Sequence, residues 1–222
     1  MTKIYLISPE KIDINNNIDD FCRNLETALK TGLVPVFQLR LKNYPRDFII
    51  SSAKIIKKIC LEYNVALIIN DDFEIALDVG ANGVHLGIDD MQKNNKNYFN
   101  RLKNNIINKP KDFIVGVSCY DSRHLAMEAG EMGADYLSFG AFFPSRTKIS
   151  IGKPNIDIAI WAIEMLNLPI VAIGGIDNEN CKELIKINID FIAVISYIWQ
   201  NSKSVDYAVK SLYDTINLVR LK

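Results

Sequence analysis

The sequence predicts one (β/α)₈ barrel, a TIM barrel, as a single domain over residues 1–222. Eight short runs of apolar, β-branched residues are continuous rather than alternating, which is typical of strands buried on both faces of a parallel sheet. Segments with helical periodicity separate these runs, and eight strand–helix units in about 220 residues have the size and order of such a barrel. A doubly wound open sheet is the alternative architecture.

The eight predicted strands share an apolar centre and a polar or glycine-containing end. In chain order they read KIYLIS, VPVFQLR, VALIIND, GVHLG, FIVGVS, ADYLSFGAF, PIVAIGG and DFIAVIS. In a barrel of this kind the carboxyl ends of all strands meet at one rim, and active sites lie there. We therefore expect chemistry at the residues that end or follow these runs.

Helical periodicity is clearest in a segment after the second predicted strand and in the last segment of the chain. Apolar residues recur every three or four positions in both, which predicts helices packed against the sheet. The two apolar sets are Ala53, Ile56, Cys60 and Tyr63, and Val205, Ala208, Leu212, Ile216 and Val219.

Two similar stretches, DVGANGVHLG and EMGADYLSFG, each pass from a helix through glycine into a strand. Gly80 and Gly133 stand where a left-handed residue commonly ends a helix, so we predict both as helix caps. Between these two units, Met91 to Lys109 is rich in Asn and Lys and only weakly periodic. We interpret that segment as a poorly patterned helix and loop without a binding role.

Composition limits the partners that the chain can attract. Lysine and arginine total 26, and aspartate and glutamate also total 26. No global field therefore attracts nucleic acid or an acidic membrane, so any anion site must be local. The apolar runs are too short for a signal peptide or a membrane span, and the four cysteines have no paired spacing. We expect a soluble, cytoplasmic protein with reduced thiols.

Polar residues or glycines mark the ends of seven of the predicted strands, and only the first strand contributes none. Such residues would point into the barrel mouth, where barrel enzymes carry their catalytic groups. In chain order they are Gln38, Arg40, Lys42, Asn70, Asp71, Asp89, Asp90, Ser118, Ser145 to Lys148, Gly174, Gly175 and Ser196.

The segment QLRLK predicts a cationic strand end. Its polar residues alternate with leucines, so Gln38, Arg40 and Lys42 would share the face toward the mouth. Leu39 and Leu41 would face the helices. The segment PSRTK, after the sixth strand, would bring further cations and hydroxyls to the same rim. Solvated charges at an exposed strand end are the alternative interpretation.

Two aspartates predict a magnesium site. Asp71 and Asp90 would end adjacent strands, and Mg²⁺ typically takes one or two carboxylates and completes its shell with water and substrate phosphates. The alternative is helix N-capping, because Asp71, Asp72, Asp89 and Asp90 all precede helical segments. One aspartate of each pair can cap a helix while its neighbour binds metal.

The ends of the last two strands predict a phosphate cup. Gly174 and Gly175 lack side chains, so their backbone N–H groups could approach an anion at the start of the following helix. Ile195 and Ser196 stand on the next strand, and barrels often bind phosphate after strands seven and eight. A tight turn that requires glycine is the alternative interpretation of the pair.

Neither histidine predicts nucleophilic catalysis. His85 lies mid-strand in GVHLG, where we expect a buried, hydrogen-bonded structural role. His124 lies on a predicted helix without a Ser or Cys pattern that would make a nucleophilic system.

Taken together, the spaced motifs resemble those of the thiamine phosphate synthase family. They are QLRLK, INDDFEIALDVGANGVHLGIDD, VGVSCYDSRHLAMEAGEMGADYLSFGAFFPSRTK, PIVAIGGI and FIAVIS, and the resemblance runs from Val34 to Ser196. It implies a (β/α)₈ barrel, in agreement with the pattern of strands and helices. It also implies a transferase that joins a hydroxymethylpyrimidine diphosphate to a thiazole phosphate and releases pyrophosphate, with Mg²⁺ as cofactor and a homodimer as the expected assembly.

The resemblance also implies a role for each rim residue. The pyrimidine diphosphate would contact Gln38, Leu39, Arg40, Leu41, Lys42, Asn70, Ser118 and Lys148, and Mg²⁺ would bind Asp71 and Asp90. The thiazole phosphate would contact Ser145, Arg146, Thr147, Gly175, Ile195 and Ser196. The residues expected to act on the leaving group are Arg40, Lys42, Ser118 and Lys148.

The chemistry that the resemblance implies needs no general base. An electron-rich aminopyrimidine can expel pyrophosphate and leave a stabilised methylene cation, which the thiazole nitrogen then captures. Catalysis would consist of neutralising the leaving group and holding the acceptor close. We expect Asp71→Asn or Lys148→Ala to lower the rate strongly without affecting the fold.

Three positions depart from the family pattern. Ile88 stands where the family usually has Gln, Tyr120 where His is common, and Ser145 where Thr is usual. The first two bear on contacts to the pyrimidine and on rate, whereas Ser145 keeps the hydroxyl. Two alternatives therefore remain open: a thiazole tautomerase-like isomerase on the same barrel, and a non-catalytic protein that binds thiazole phosphate or thiamine phosphate.

Overall fold

The sheet closes into a parallel eight-stranded barrel. The computed structural model describes residues 1–12, 18–87, 103–104, 106–144 and 156–220. The strands are β1 Lys3–Ile7, β2 Val36–Leu39, β3 Ala66–Asn70, β4 Gly83–Gly87, β5 Ile114–Tyr120, β6 Tyr136–Phe139, β7 Ile170–Ile173 and β8 Phe191–Val194. Each strand pairs with its neighbours in chain order, and β1 also pairs with β8. The predicted (β/α)₈ barrel is confirmed, and the doubly wound alternative is wrong.

Helices follow the strands and cover the outside of the barrel. In the described residues they are α1 Asp19–Leu29, α2 Arg46–Glu62, α3 Phe73–Asp78, α4 Arg123–Met132, α5 Ile156–Met165, α6 Cys181–Lys186, α7 Ser196–Trp199 and α8 Val205–Arg220. Both periodic segments of the sequence are helical, as α2 and α8, and most of their predicted apolar residues are buried. The predicted fourth helix and loop lies mostly outside the described residues.

The main apolar core lies between the barrel wall and the helices. Side chains alternate along each strand, so Leu67 and Ile69 of β3 face outward into this core, as Leu39 of β2 does. Ile56 of α2 is fully buried in the same cluster. Burial of a side chain of this size stabilises the fold by about 1.5–3 kcal/mol.

A second, smaller apolar cluster fills the inside of the barrel. It contains Tyr5, Ile7, Tyr136, Val171 and Ala193. Glycine at position 116 makes room for this filling, because a β-carbon there would lie within 1.9 Å of the Tyr136 ring. The barrel interior is therefore packed with side chains, as expected for this fold.

Helix boundaries follow the local chemistry of the sequence. Gly133 ends α4 with a left-handed φ of 97°, and Gly80, two residues beyond α3, has a φ of 64°. Both predicted caps are confirmed. At the other helix ends, Asp72 and Ser122 accept hydrogen bonds from the backbone N–H groups of Ile75 and Leu125. These two side chains satisfy amide groups that would otherwise lack partners in the first turn.

The four cysteines, Cys22, Cys60, Cys119 and Cys181, are free and buried. Burial raises the pKa of the Cys60 and Cys119 thiols to about 12. Both thiols are therefore protonated and poorly nucleophilic at neutral pH. Separately, none of the helices in the described ranges has the length and apolar character that a membrane crossing requires.

Candidate active site

Strand pairing gathers the predicted polar residues at one rim. Leu39 of β2 pairs with Ile69 of β3. Arg40, directly after β2, and Asn70, the last residue of β3, therefore lie at the same height in the barrel. Asn70 in turn pairs with His85 of β4. On the following pair of strands, Ser118 of β5 lies opposite Gly87 at the end of β4. Ser118 therefore lies within its strand, two residues before the strand ends, and still reaches the mouth.

Arg40 is held in place by residues that follow the first strand. Its side chain is only 14% exposed, and Nη1 donates to Oε1 of Glu10 at 2.6 Å. The Ser8 hydroxyl accepts from the Arg40 backbone N–H at 2.9 Å and donates to the Arg40 carbonyl at 3.2 Å. The prediction that the first strand contributes nothing to the rim is therefore wrong. The signal in the sequence was the pair of polar residues in ISPE, directly after β1.

Lys42 and Asp71 meet above the ends of β2 and β3. Lys42 Nζ lies 3.9 Å from Oδ2 of Asp71, and the two side chains are 42% and 38% exposed. Asp71 has a left-handed φ of 66°, and its N–H donates to the carbonyl of His85 at 2.8 Å. A backbone hydrogen bond to the neighbouring strand thus fixes the main chain from which this carboxylate projects.

Asp72 has a different role from its neighbour. Its Oδ1 accepts from the N–H of Ile75 at 2.8 Å, which caps α3, and its Oδ2 accepts from Nη1 of Arg46 at 2.6 Å. The sequence allowed one aspartate of this pair to cap a helix and the other to bind metal. Capping by Asp72 leaves Asp71 as the candidate metal ligand.

The described donor set fits Mg²⁺ in part. No group of three or more His, Cys, Asp or Glu side chains comes together as a metal site among the described residues. Asp71 supplies one carboxylate, which lies 3.9 Å from Lys42 Nζ. Because Mg²⁺ in proteins often has one or two carboxylate ligands and otherwise binds water and phosphate, such a sparse donor set suits it. The second predicted ligand, Asp90, lies outside the described residues.

A line of hydrogen bonds crosses the barrel interior and ends at Ser118. The Gln38 side chain bonds to the Tyr5 hydroxyl, which lies 2.7 Å from the Tyr136 hydroxyl. The Tyr136 hydroxyl lies 2.8 Å from Nδ1 of His85, and Nε2 of His85 lies 2.9 Å from Oγ of Ser118. We call these five residues the interior relay. His85 is thus buried and hydrogen-bonded, as predicted, but it is also linked to a candidate site residue.

The environment of His85 keeps its ring neutral. Burial, and secondarily the positive charge of Arg40, lowers the pKa of His85 from its ordinary value of 6.5 to about 4. The imidazole therefore carries a single proton at neutral pH, on one of its two nitrogens. It acts there as one donor and one acceptor.

We expect His85 to make the fold sensitive to mild acid. Between pH 6.5 and 4 the unfolded chain binds a proton that the folded chain does not, so stability falls as the pH falls through this window. The size of this contribution is on the order of 3 kcal/mol at pH 4. Urea unfolding of the wild type and His85→Gln across this pH range measures it, and the difference in unfolding free energy should shrink toward low pH. Parallel curves would contradict the expectation.

Gly174 and Gly175 follow β7 and pack against the segment that follows β6. Their φ angles are 104° and 62°, and a β-carbon on Gly175 would lie 2.4 Å from the carbonyl oxygen of Pro144. The N–H of Phe143 donates to the carbonyl of Gly174 at 3.0 Å. The next helix, α6, begins only at Cys181, so the expectation that a helix starts directly after the glycine pair is wrong. Close approach of two rim loops accounts for both glycines.

We expect Gly175→Ala to lower the free energy of unfolding by roughly 3 kcal/mol, because both the left-handed backbone and the close carbonyl oppose a side chain. Gly32 is a matched control, since its φ is 71° but no atom lies within 4 Å of the position that a β-carbon would take. Gly32→Ala should cost about 1 kcal/mol, which is the backbone contribution alone. Urea unfolding of the two variants tests the difference, and equal losses would contradict it.

Ile195 and Ser196 lie just beyond the last strand. β8 ends at Val194, and Ser196 is the first residue of the short helix α7. The prediction that both residues stand on the strand is therefore wrong by one or two positions. A short extra helix after the eighth strand is a place where barrels of this type frequently bind phosphate. Their predicted role as phosphate contacts stays a prediction.

The remaining predicted residues divide into two groups. Leu39 is 1% exposed, and both Leu39 and Leu41 pack toward the outer core, so only their backbones face the mouth. Asp90, Ser145, Arg146, Thr147 and Lys148 lie outside the described residues, as do Asp89 and Ile88. The chain that leads toward Ser145 is nevertheless anchored at the rim, because the N–H of Phe142 donates to the carbonyl of Ile173 at 3.1 Å.

These features define a (β/α)₈-barrel protein with a cationic and carboxylate-bearing mouth at the carboxyl ends of its strands. Arg40, Lys42 and Asp71 mark this mouth on two adjacent strands. The chain belongs to the thiamine monophosphate synthase (TMP-TENI) family, whose model matches residues 4–198.

Known proteins similar to this chain agree with the family. A thiamine-phosphate synthase of Erythrobacter litoralis is 38% identical over 207 residues, covering 91% of this chain and 90% of that protein. A thiamine-phosphate synthase of Pelagibacter ubique is 40% identical over 200 residues, covering 90% of each chain. Among solved structures, thiamine phosphate pyrophosphorylase from Pyrococcus furiosus superposes with a TM-score of 0.78 at 30% identity, covering 98% of this chain and 96% of that chain.

Proposed function

We infer that this chain is a thiamine-phosphate synthase, a transferase of thiamine biosynthesis. It joins a hydroxymethylpyrimidine diphosphate to a thiazole phosphate and releases pyrophosphate. Within the family, the observation that carries the assignment is the meeting of Arg40, Lys42 and Asp71 at adjacent strand ends. Two cations suit a diphosphate, and a nearby carboxylate suits the metal ion that accompanies one.

The pyrimidine diphosphate would lie above β2, β3 and β5. Arg40 offers a planar fork of donors that can bind two phosphate oxygens at once, and Lys42 adds a mobile charge. Asn70 and Ser118 contribute neutral polar contacts to the same ligand. Gln38, which is only 2% exposed, would act from beneath these residues. Lys148 would complete the grip from the loop after β6.

Asp71 would hold Mg²⁺ together with Asp90. Bound Mg²⁺ would neutralise charge on the pyrophosphate as it leaves. The chain's own part is to place one carboxylate firmly, and the hydrogen bond from the Asp71 N–H to β4 does this. Lys42, 3.9 Å from the Asp71 carboxylate, keeps a cation beside the same position.

The thiazole phosphate would lie on the other side of the mouth. Gly175, Ile195 and Ser196 would contact it from the loops after β7 and β8. Ser145, Arg146 and Thr147 would contact it from the loop after β6. The packing of Gly175 against Pro144 supports this arrangement, because it brings the loops after β6 and β7 together.

The reaction follows from the charges at the rim. The aminopyrimidine expels pyrophosphate, the cationic side chains stabilise the departing anion, and the thiazole nitrogen captures the methylene cation. Holding the two substrates together removes the entropic cost of their encounter. No general base is needed, and the neutral, internally bonded state of His85 is consistent with that.

The proposal is tested by incubating the purified protein with both substrates, with and without Mg²⁺. We expect thiamine phosphate to form only when Mg²⁺ is present. Coupling that is unaffected by a chelator would contradict the metal assignment. Thiazole phosphate binding without coupling would favour the non-catalytic alternative, and conversion of a thiazole tautomer would favour the isomerase.

Two further assignments are proposals of the same kind. A cytoplasmic location suits four free, buried thiols, because oxidising compartments favour disulfides. A homodimer is proposed from the family and is checked by light scattering.

Tyr120, which replaces the usual His, ends β5 with a φ of 55°, and its effect on rate is tested by Tyr120→His.

A further inference from the structure

The interior relay has a fixed supply of hydrogens. Burial raises the pKa of the Tyr5 and Tyr136 hydroxyls well above their ordinary value of 10, so both keep their protons at neutral pH. Both ring nitrogens of His85 face hydroxyl groups, with Nδ1 2.8 Å from that of Tyr136 and Nε2 2.9 Å from that of Ser118. The space left among the surrounding side chains is about 10 Å³, room for roughly one water molecule. The hydrogen bonds of the relay must therefore be satisfied mainly by its own members.

The hydrogen bonds of the interior relay can run in two self-consistent directions, which differ in which member of each pair is the donor. In the outward direction the Gln38 amide donates to Tyr5, Tyr5 donates to Tyr136, and Tyr136 donates to Nδ1 of His85. Nε2–H of His85 then donates to the oxygen of Ser118. In the inward direction every bond is reversed: Ser118 donates to Nε2, and Nδ1–H donates to Tyr136. From Gln38 to His85, reversing one bond requires reversing the others, because each hydroxyl has one hydrogen to give.

The direction decides what Ser118 can offer to a ligand. In the outward direction the Ser118 oxygen is already hydrogen-bonded, and its own hydrogen is available to an acceptor in the mouth. In the inward direction Nε2 accepts from a hydroxyl, and Ser118 at 2.9 Å is nearer to it than Ser138 at 3.4 Å. A Ser118 hydrogen bound to His85 leaves Ser118 with only lone pairs for a ligand. Lone pairs repel an anionic oxygen, whereas an O–H group binds it strongly. Ser138 competes at both ends of this contact, because its Oγ lies 3.3 Å from Oγ of Ser118 and 3.4 Å from Nε2 of His85.

We propose that His85 is a positioning residue, which the interior relay holds as the Nε2–H tautomer when a diphosphate is bound, so that Ser118 donates its hydroxyl hydrogen to an anionic oxygen. The inference rests on the proposed function only in placing the diphosphate against Ser118. Tyr5 and Tyr136, inside the barrel, contribute by fixing the tautomer.

The tautomer can be observed directly. The chain has two histidines, so long-range proton–nitrogen spectra of protein labelled with ¹⁵N-histidine contain two imidazole patterns. His124→Gln identifies the exposed one by its loss. With inorganic pyrophosphate and Mg²⁺ bound, we expect the pattern of His85 to be that of the Nε2–H tautomer. The Nδ1–H pattern in the bound protein would overturn the inference.

A double-mutant cycle tests whether Tyr136 acts through Ser118. Binding of inorganic pyrophosphate with Mg²⁺ is measured by calorimetry for Tyr136→Phe, Ser118→Ala and the double variant. We expect Ser118→Ala to weaken binding about 10-fold or more, and Tyr136→Phe to weaken it about threefold to tenfold. In the Ser118→Ala background the Tyr136→Phe change should cost less than about twofold. An equal loss in both backgrounds would indicate a merely structural role and overturn the inference.

Two further variants support the double-mutant cycle, one as a control and one as a substitute for Tyr136→Phe. Tyr207→Phe removes an exposed hydroxyl on α8, outside the barrel, and should leave pyrophosphate binding unchanged. If Tyr136→Phe does not fold, Tyr5→Phe interrupts the relay one step earlier, and its loss should likewise vanish in the Ser118→Ala background. Persistence of that loss would contradict the relay.

Failure of the inference is distinguishable from failure of the proposed function. If pyrophosphate does not bind at all, the diphosphate site itself is wrong. If pyrophosphate binds and Ser118→Ala weakens it, but the cycle is additive or the tautomer is Nδ1–H, only the role of the relay is wrong. Neither readout requires turnover, so an enzyme that is slow because of its departures from the family pattern is still testable.

Discussion

Asp71→Asn is expected to lower the rate of thiamine phosphate formation by at least about 100-fold, because it removes a carboxylate from the proposed magnesium site, where the metal would stabilise the leaving group. The fold should be unaffected. Asp71 has a left-handed backbone, which asparagine adopts as readily as aspartate does. Steady-state rates measured as a function of Mg²⁺ concentration test the prediction, and the variant should also need more Mg²⁺ for half-maximal rate.

Asp72→Asn is the matched control, because it makes the same chemical change one residue away. Asparagine can still cap α3, and the lost ion pair with Arg46 is partly exposed, so we expect less than about 1 kcal/mol of destabilisation. The coupling rate should stay within about threefold of the wild type, since the Asp72 carboxylate accepts hydrogen bonds from the Ile75 N–H and from Arg46. Equal losses in both variants would mean that the local backbone, not the metal, is affected. A normal rate in Asp71→Asn would remove it from the site.

The fold was predictable because its signal is local and repeated. Continuous apolar runs such as VPVFQLR and VALIIND mark strands buried on both faces, and the helices between them have clear periodicity. Glycine caps at Gly80 and Gly133 mark two of the transitions. The apolar runs alone did not determine whether the strands form an open sheet or a closed barrel. That depends on the pairing of β1 with β8, a contact between the two ends of the barrel segment.

The sequence indicated which described residues end strands β2, β3 and β5, but not the contacts that hold them at the rim. Tyr5 and Tyr136 look like core aromatics in the sequence, since each lies in an apolar run and only the alternation of the strand turns it inward. Their hydroxyls meet because β1 and β6 face each other across the barrel, 131 residues apart in the chain. Similarly, Glu10 follows a strand from which no rim residue was predicted, and only strand pairing brings it to Arg40. Long-range geometry of this kind leaves no local pattern.

The distinction between Asp71 and Asp72 shows the same limit on a smaller scale. Both are aspartates before a helix, so composition cannot separate a cap from a ligand. One left-handed residue at the end of β3 turns the chain so that Asp72 reaches the N–H of Ile75. The backbone, rather than the side-chain type, therefore makes Asp72 the cap and leaves Asp71 as the candidate ligand.

Arg40→Gln is expected to lower the coupling rate by about 100- to 1000-fold, the loss typical when a charge-stabilising donor is removed from a transition state. Arg40→Lys should recover only part of the rate, because an ammonium cannot bind two phosphate oxygens in a fixed plane. Arg46→Gln is the matched control: this arginine also pairs with carboxylates, but with those of Asp72 and α3 rather than with Glu10, and the rate should not change.

A substitution at Glu10 distinguishes the effect of the Arg40 charge from the effect of the ion pair that positions it. Glu10→Gln leaves the guanidinium in place but removes its anionic partner, so diphosphate binding should be maintained or tightened, while Arg40→Gln weakens it. His85 provides an independent readout, because the positive charge of Arg40 helps to lower its pKa. Loss of that charge should raise the pKa of His85 above 4, though burial still holds it below 6.5, and Arg46→Gln should not move it. A lowered rate without this pKa change would mean that Arg40 does not occupy the rim beside the interior relay, and its assignment to the diphosphate would fail with it.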